Sequence, residues 1–336
     1  MKQILDTPVE SRMVHVTRES GIPLIGCLAF GVIDRGENII QVRSTSACNM
    51  NCQFCSTDGG PFSSFHQVNY MVDIEYLLEE VKKVIKIKGE NVIIFLDSVG
   101  EPTFHPDFVK LVAGLKKFPQ VSEIITITNG TYLSEKMIHD LEKAGLSQMN
   151  VSLHSLNSEK ARKLFGKETY DVKKVLSTLE MIAQSKIKLV ITPVYLPKVN
   201  EEDIEEIIQF TKSIHATLGI QKYEIYPQSR KMKSVKQQNY WKFYNQLRQW
   251  SKKFHLDLIM KKKDVHIESR PRIPEVFKVG EKVSVLIKAP GWFPKQKIGV
   301  ARDRCISINN CNASMNDRVN IKILETKNNI YIGEVI

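Results

Sequence analysis

The sequence predicts an α/β protein in two parts, a partial parallel barrel of six βα units and then a small all-β barrel. Three observations carry this. From residue 39 to residue 254, short β-rich runs alternate with amphipathic helical stretches. Four groups of chemistry-bearing residues fall directly after predicted strands, on what would be the functional rim of a parallel barrel. Beyond Pro271 and Pro274 the alternation gives way to five short strand patterns. Their span of about sixty residues is the size of a closed barrel of the oligonucleotide-binding (OB) kind.

Residues 1–38 read as an extension of irregular or hairpin structure. Ile39–Arg43 is the first strand and runs straight into a cysteine-rich loop. Asp73 caps a helix with Ile74, Leu77, Leu78, Val81, Val84 and Ile85 on one face, closed by Gly89. Val92–Leu96 is apolar throughout, as suits a parallel strand covered on both faces. The pattern repeats as helix 106–117, strand 123–128, helix 134–144, strand 149–153, helix 171–185, strand 188–194, helix 201–213, strand 222–226 and helix 235–254. Right-handed crossovers curl such a series into a barrel, full or partial. The small barrel takes strands 282–288, 298–301, 305–308, 319–324 and 330–335, parted by turns such as Pro290-Gly291 and Asn316-Asp317. The expected units are therefore 1–38, 39–265 with a basic outer helix, and 275–336.

At 336 residues, 42% apolar and 25% charged, the chain has the composition of a globular protein with a large core. No apolar run reaches membrane-spanning length and the first residues lack the apolar stretch of a signal peptide, so a cytoplasmic location without a membrane partner is expected. The net charge of +11 is uneven. Residues 1–227 hold 25 Lys/Arg against 28 Asp/Glu, whereas residues 228–336 hold 23 against 9. Within 228–263 there are eleven basic side chains and one acid, Asp257. Such asymmetry points to a polyanionic partner. Aromatics interleave this stretch, and Tyr240, Tyr244, Leu247 and Phe254 share a helical face expected to dock on the barrel. The Lys/Arg side chains lie largely off that face, available to phosphates.

Cys48-Asn49-Met50-Asn51-Cys52-Gln53-Phe54-Cys55 puts three of the six cysteines inside eight residues. Thiolates this close in a cysteine-poor chain suit a soft metal or an iron–sulfur cluster. Three ligands from one loop can hold three irons of a [4Fe–4S] cube and leave the fourth open to a small molecule. Two other readings stay open on spacing alone. Zinc needs a fourth ligand, for which His66 is the nearby candidate, and buried packing thiols need none. A disulfide set fails because three clustered cysteines cannot pair off.

The C-x3-C-x2-C spacing, with Phe54 before the last cysteine, resembles the radical S-adenosylmethionine (SAM) superfamily over about residues 39–230. The resemblance implies that Cys48, Cys52 and Cys55 hold a [4Fe–4S] cluster and that Phe54 packs near the adenine of SAM. Gly100-Glu101-Pro102 resembles the Gly-Gly-Glu motif that meets the SAM amino group, with Val99 in place of the first glycine. Asn129 and Ser152 fall where the family contacts the SAM carboxylate and ribose. Residues 151–155 (Val-Ser-Leu-His-Ser) look like the matching stretch of radical SAM methylases of RNA adenine. The implied chemistry is one-electron reduction of SAM to methionine and a 5′-deoxyadenosyl radical, fed by a donor such as ferredoxin or flavodoxin. Which residue acts on the substrate is not assigned.

Cys27, Cys305 and Cys311 are scattered, which disfavours a second cluster for sulfur insertion; Cys305 with Cys311 is the one pair that could serve methylase chemistry. A cobalamin motif is lacking, since Asp264-Val265-His266 leads to Ser269 where glycine is needed. Val279-Gly280, Gly299-Val300-Ala301-Arg302, Asp317-Arg318-Val319 and Ile332-Gly333-Glu334 resemble a TRAM domain, an RNA-binding barrel appended to tRNA-modifying enzymes. The whole is similar to archaeal radical SAM proteins that end in a TRAM domain. The expectation is a radical SAM enzyme acting on RNA, most plausibly tRNA. Its rivals are a radical SAM modifier of a peptide, lipid or small metabolite, and a non-catalytic metal-bearing RNA-binding protein. Removal of 275–336 is expected to weaken RNA binding and leave SAM cleavage intact.

Overall fold

The computed structural model describes residues 12–259 and 266–336. Asp264 of the cobalamin comparison and the lysines at 261–263 lie outside them. The first strands are β1 (Arg12–Val16), β2 (Gly31–Asp34), β3 (Ile39–Arg43) and β4 (Val68–Val72), the last two flanking the cysteine loop. The alternation follows as α1 (Ile74–Lys88), β5 (Val92–Leu96), α2 (Phe108–Lys116), β6 (Val121–Thr128), α3 (Glu135–Ala144), β7 (Gln148–Val151), α4 (Ser158–Phe165), α5 (Val172–Ala183) and β8 (Lys188–Ile191). It ends with β9 (Val194–Tyr195), α6 (Glu201–Ser213), β10 (Thr217–Leu218), β11 (Gln221–Lys222) and α7 (Tyr240–Phe254).

The main sheet runs β10-β8-β7-β6-β5-β3-β2. Its first six strands are parallel and laid down in sequence order, and β2 closes one edge antiparallel to β3. With no reversal of strand order, every right-handed crossover delivers its helix to the same face. Consecutive helices accordingly touch: α1 with α2, α2 with α3, α3 with α5. Local signals set the helix ends. Asp73, Ser134, Asn157 and Asp171 each accept a backbone N–H in the first turn of their helix.

The structure departs from the expected elements in several places. From residue 12 the N-terminal stretch is more than the expected irregular or hairpin structure, because β1 pairs in parallel with β4 and β2 joins the main sheet. α4 is an additional helix between β7 and α5. The strand expected at 188–194 breaks after Ile191, where Pro193 brings no N–H to a ladder. β8 stays in the sheet, while β9 leaves it to pair with β11. The sixth parallel strand is therefore β10, ahead of the 222–226 run expected in that role. α7 starts at Tyr240, where the Asn239 side chain accepts from Lys242 N at 2.9 Å, and not at 235. It buries Phe243, Leu247 and Trp250, and leaves Tyr240, Trp241 and Tyr244 exposed. The expected docking face was thus displaced by one position around the helix, with Leu247 and the partly buried Phe254 common to both.

The C-terminal strands β12 (Lys282–Pro290), β13 (Lys297–Ala301), β14 (Arg304–Asn309), β15 (Arg318–Glu325) and β16 (Ile332–Val335) close into a barrel in the order β12-β13-β14-β16-β15. Val285, Ile287, Ile306, Ile308, Ile321 and Ile323 fill it. The barrel is welded to the rest of the chain. Ala289, Trp292, Ile298 and Cys305 belong to the main hydrophobic core. Cys305 N donates to Ile25 O at 2.8 Å, Tyr331 N to Gly26 O at 3.0 Å, and the Tyr70 hydroxyl to Pro290 O at 2.7 Å. A Cβ on Gly26 would lie 2.0 Å from the Cys305 carbonyl oxygen, so only glycine permits this approach. Removing 275–336 would strip a face of the main core, so the remainder is not expected to work without it.

Candidate active site

The residues after β3, β5, β6 and β7 converge on one cavity of about 350 Å³. Cys48, Cys52 and Cys55 line it from the first of these loops, and all three thiols are free. Phe54, Gly100, Glu101, Asn129, Ser152 and His154 line it from the others, so it gathers every residue singled out for the cluster and SAM except Pro102. Pro102 lies behind the wall and opens a short turn, Pro102–Phe104. Gln221, Lys222, Glu224 and Tyr226 lie on the lining from the segment after β10.

Each group is held by specific bonds. Gly100 sits against the β3 loop, where a Cβ would meet the Ala47 and Ser46 carbonyl oxygens at 2.2 and 2.4 Å. The Thr57 hydroxyl donates to Val99 O at 2.7 Å, tying the cysteine loop to the β5 loop where the family motif has glycine. Glu101 is buried, and burial raises its carboxyl above the usual range. Its oxygens accept from Thr103 N (3.1 Å), Thr103 Oγ1 (2.5 Å), Thr128 Oγ1 (2.7 Å) and Asn129 N (2.7 Å). A carboxylate offers about four acceptor sites, so protein donors already take up its capacity. Asn129 Nδ2 donates to Asn49 Oδ1 at 2.9 Å, and Asn49 Nδ2 donates to the Thr131 hydroxyl at 2.8 Å. This bridge ties the cysteine loop to the end of β6.

Phe54 packs with Leu164, Leu196 and Tyr223, and its ring meets His154 edge-on at 4.7 Å. His154 Nδ1 accepts from Val194 N at 3.1 Å, and burial lowers its pKa to about 3, so it is a neutral wall. Burial also pushes the Cys48 thiol up to about 12 and the Cys52 thiol well above its ordinary value. Thiols with pKa values raised in this way keep their protons until a cation replaces them.

Arg230 is the residue that sequence reasoning passed over. Its guanidinium donates to Cys52 O (3.1 Å) and Gly59 O (2.9 Å) and pairs through Nε with Asp58 Oδ1 at 2.5 Å. Its backbone N–H donates to Cys55 O at 2.9 Å, and the neighbouring Ser229 hydroxyl to Ser56 O at 2.9 Å. In the sequence Arg230 is one of eleven basic residues in its stretch, and its partners lie more than 170 positions away. His66, the candidate fourth ligand for zinc, does not line the cavity. It stacks on Trp292 at 3.9 Å, and burial lowers its pKa to about 4. Among the described residues no three His, Cys, Asp or Glu groups are placed to hold a single metal ion.

The segment that carries these loops matches a known family. The profile of the radical SAM superfamily matches residues 42–211, half of the chain. The chain belongs to the radical SAM superfamily. Members of that superfamily use a [4Fe–4S] cluster and SAM. An uncharacterised protein of Methanocaldococcus jannaschii is 38% identical over 94% of this chain and 79% of its own length. The GTP 3′,8-cyclase of Aquifex aeolicus is 27% identical over 57% of this chain. The chain spans 58% of that cyclase. Streptococcus suis SuiB superposes with a TM-score of 0.52 at 15% identity, over 70% of this chain and 48% of its own, which is a likeness of fold. Among the described residues of this radical SAM protein, no helix is long and apolar enough to cross a membrane.

Proposed function

We propose that this radical SAM enzyme modifies RNA, with tRNA as its substrate class. One observation supports this above the others. The small barrel carries a cleft of about 570 Å³ lined by Lys282, Lys288, Arg302 and Arg318, with no acidic residue in its lining. It belongs to the part of the chain with 23 basic and 9 acidic side chains, the part suited to phosphates. The TRAM resemblance of residues 275–336 points the same way.

The donor set fits the family's cluster. Three free thiols from one loop face the cavity, and that loop is held by Arg230, Thr57 and Asn49 independently of any bound group. In this reading Cys48, Cys52 and Cys55 hold the [4Fe–4S] cluster. Phe54, Gly100, Asn129 and Ser152 contact SAM, and Glu101 with Pro102 shapes the wall. Bound together, cluster and SAM supply hydrogen-atom abstraction driven by one-electron reduction, the electron coming from a ferredoxin or flavodoxin. The protein's own part is positional. Glu101 holds the Asn129 amide, Arg230 holds the carbonyls of the cysteine loop, and Phe54 with neutral His154 keeps one wall apolar against water.

The substrate reading is tested by mass spectrometry of tRNA nucleosides from a strain lacking the gene. One modified nucleoside should disappear, and return with the wild-type gene but not with a Cys48→Ala/Cys52→Ala/Cys55→Ala variant. The same variant should lose its iron on anaerobic reconstitution; full iron retention would exclude these cysteines as the ligands. In vitro, Lys282→Glu/Arg318→Glu should weaken tRNA binding and flatten its salt dependence, since each phosphate contact adds about 0.7–0.9 to the log–log slope. An unchanged nucleoside profile, with unchanged binding, would favour a peptide, lipid or metabolite substrate.

A further inference from the structure

Seven aromatic side chains are exposed among the described residues, and four of them, Tyr226, Tyr240, Trp241 and Tyr244, belong to the strap and helix beside the cavity. Tyr226 is 55% exposed and also lines the cavity, so it stands at the mouth. Tyr240 is 60% exposed and stacks on Tyr244, one helical turn on, with ring centres 6.2 Å apart and planes at 26°. Trp241 is 70% exposed on the adjoining side of α7. The Tyr240 hydroxyl donates to Glu224 at 3.1 Å, and Glu224 lines the cavity together with Tyr226, which joins the helix tyrosines to the mouth. Lys222 Nζ sits 4.8 Å from the Tyr240 ring centre.

Rings this large remain in water only at a cost, and α7 has another face, Phe243, Leu247 and Trp250, that packs inside. Charge decides what the open face suits. No acidic residue occurs between 228 and 256, and Lys231, Lys233, Lys236 and Lys242 are all exposed there. Glu224, the carboxylate that meets Tyr240, is also engaged by Lys222 and Gln237. Flat rings among unpaired cations fit a strand that offers flat bases and phosphates together.

We infer that this ridge is a stacking platform for unpaired bases of an RNA strand, leading the strand across Tyr226 into the cavity. The inference rests on the RNA reading above and adds that the bound segment is single-stranded. Of the three tryptophans, Trp250 and Trp292 are buried, so exposed Trp241 reports on the platform. Titration of the full-length protein with a short oligouridine should quench its fluorescence, and Trp241→Phe should remove the quench and keep the affinity. Tyr240→Ala/Trp241→Ala should lower oligouridine affinity about tenfold or more with the salt slope unchanged, because rings and not charges are lost. Affinity for an RNA duplex of equal length should change by less than about twofold. If the wild type binds tRNA but Trp241 is not quenched, or the double variant binds oligouridine normally, the platform is wrong while the RNA reading stands. Equal weakening toward duplex also overturns it, and quenching by polyglutamate as strong as by oligouridine would assign the ridge to an acidic protein. Absence of binding to any RNA overturns both readings.

Discussion

Three side chains in and around the cavity wall show how much of this site is settled by hydrogen bonds that chain position hides. Arg230 is spent on backbone carbonyls and on Asp58, and Glu101 on four protein donors. His105 donates from Nε2 to Val72 O at 2.9 Å and accepts at Nδ1 from Asp107 N at 3.1 Å. That second bond exists only for the neutral ring, and burial lowers the His105 pKa as it does that of His154. Unfolded, both rings return to about 6.5. Above that pH both states carry neutral rings and the stability is full. Below it the unfolded chain takes up protons that the fold refuses, so stability falls with pH, for His154 down to about pH 3. Each such ring contributes about 1.4 kcal/mol per pH unit at most. Urea midpoints of the metal-free protein should therefore drop between pH 7 and 5, before most carboxylates titrate, and His105→Gln should reduce the slope. A midpoint that stays constant over that window would contradict the argument. From sequence alone Glu101 was assigned by motif, whereas its saturation by Thr103, Thr128 and Asn129 depends on where β6 ends beside β5.

The loops after the strands are registered against one another by close backbone approach. The tightest point in the wall is Gly100, whose absent side chain lets Glu101 N donate to Ala47 O at 2.8 Å. Gly100→Ala would drive a methyl group into two carbonyl oxygens and push the β3 and β5 loops apart. We expect that variant to stay folded, because the sheet itself is untouched, yet to take up less than half the wild-type iron on reconstitution. Circular dichroism and iron assay of the same sample check both halves, and normal iron loading would show that the contact is dispensable. The helices were legible because their apolar spacing and caps are local, as with Asp73 and Ser134. β9, β10 and β11 were not. They are two-residue strands whose pairing is set by the break at Pro193 and by the neighbours they reach, not by a pattern long enough to read.

Across the whole molecule, the small barrel and the α/β part share one core. Trp292 lies on His66, the Gln67 side chain donates to Gly291 O at 3.0 Å and Phe293 O at 2.7 Å, and Lys88 pairs with Asp34 while donating to Pro271 O at 2.8 Å. The barrel also supplies Ala289, Trp292, Ile298 and Cys305 to that core, and the apolar surface its loss would bare is unfavourable in water. A chain ending at residue 274 should therefore be insoluble or bind a hydrophobic dye strongly, and should fail to retain a cluster. A monodisperse truncated protein that cleaves SAM would refute this coupling. Point changes on the barrel surface, not deletions, are consequently the way to separate RNA binding from catalysis.

Read by itself, the chain determined its family chemistry, the cap and apolar face of α1 and the parallel order of β3, β5, β6, β7 and β8. Each of these depends on spacing within about fifteen residues, through cap, periodicity or ligand interval, and physics at that range is local. Only the tertiary structure decided that the N-terminal stretch pairs with β4 and Cys305, that Arg230 clasps the cysteine loop, and that Tyr240 and Trp241 face water. Those outcomes depend on which surfaces meet after the sheet has twisted and closed. A buried contact between residues 25 and 305, or 58 and 230, is favourable only once everything between them has folded.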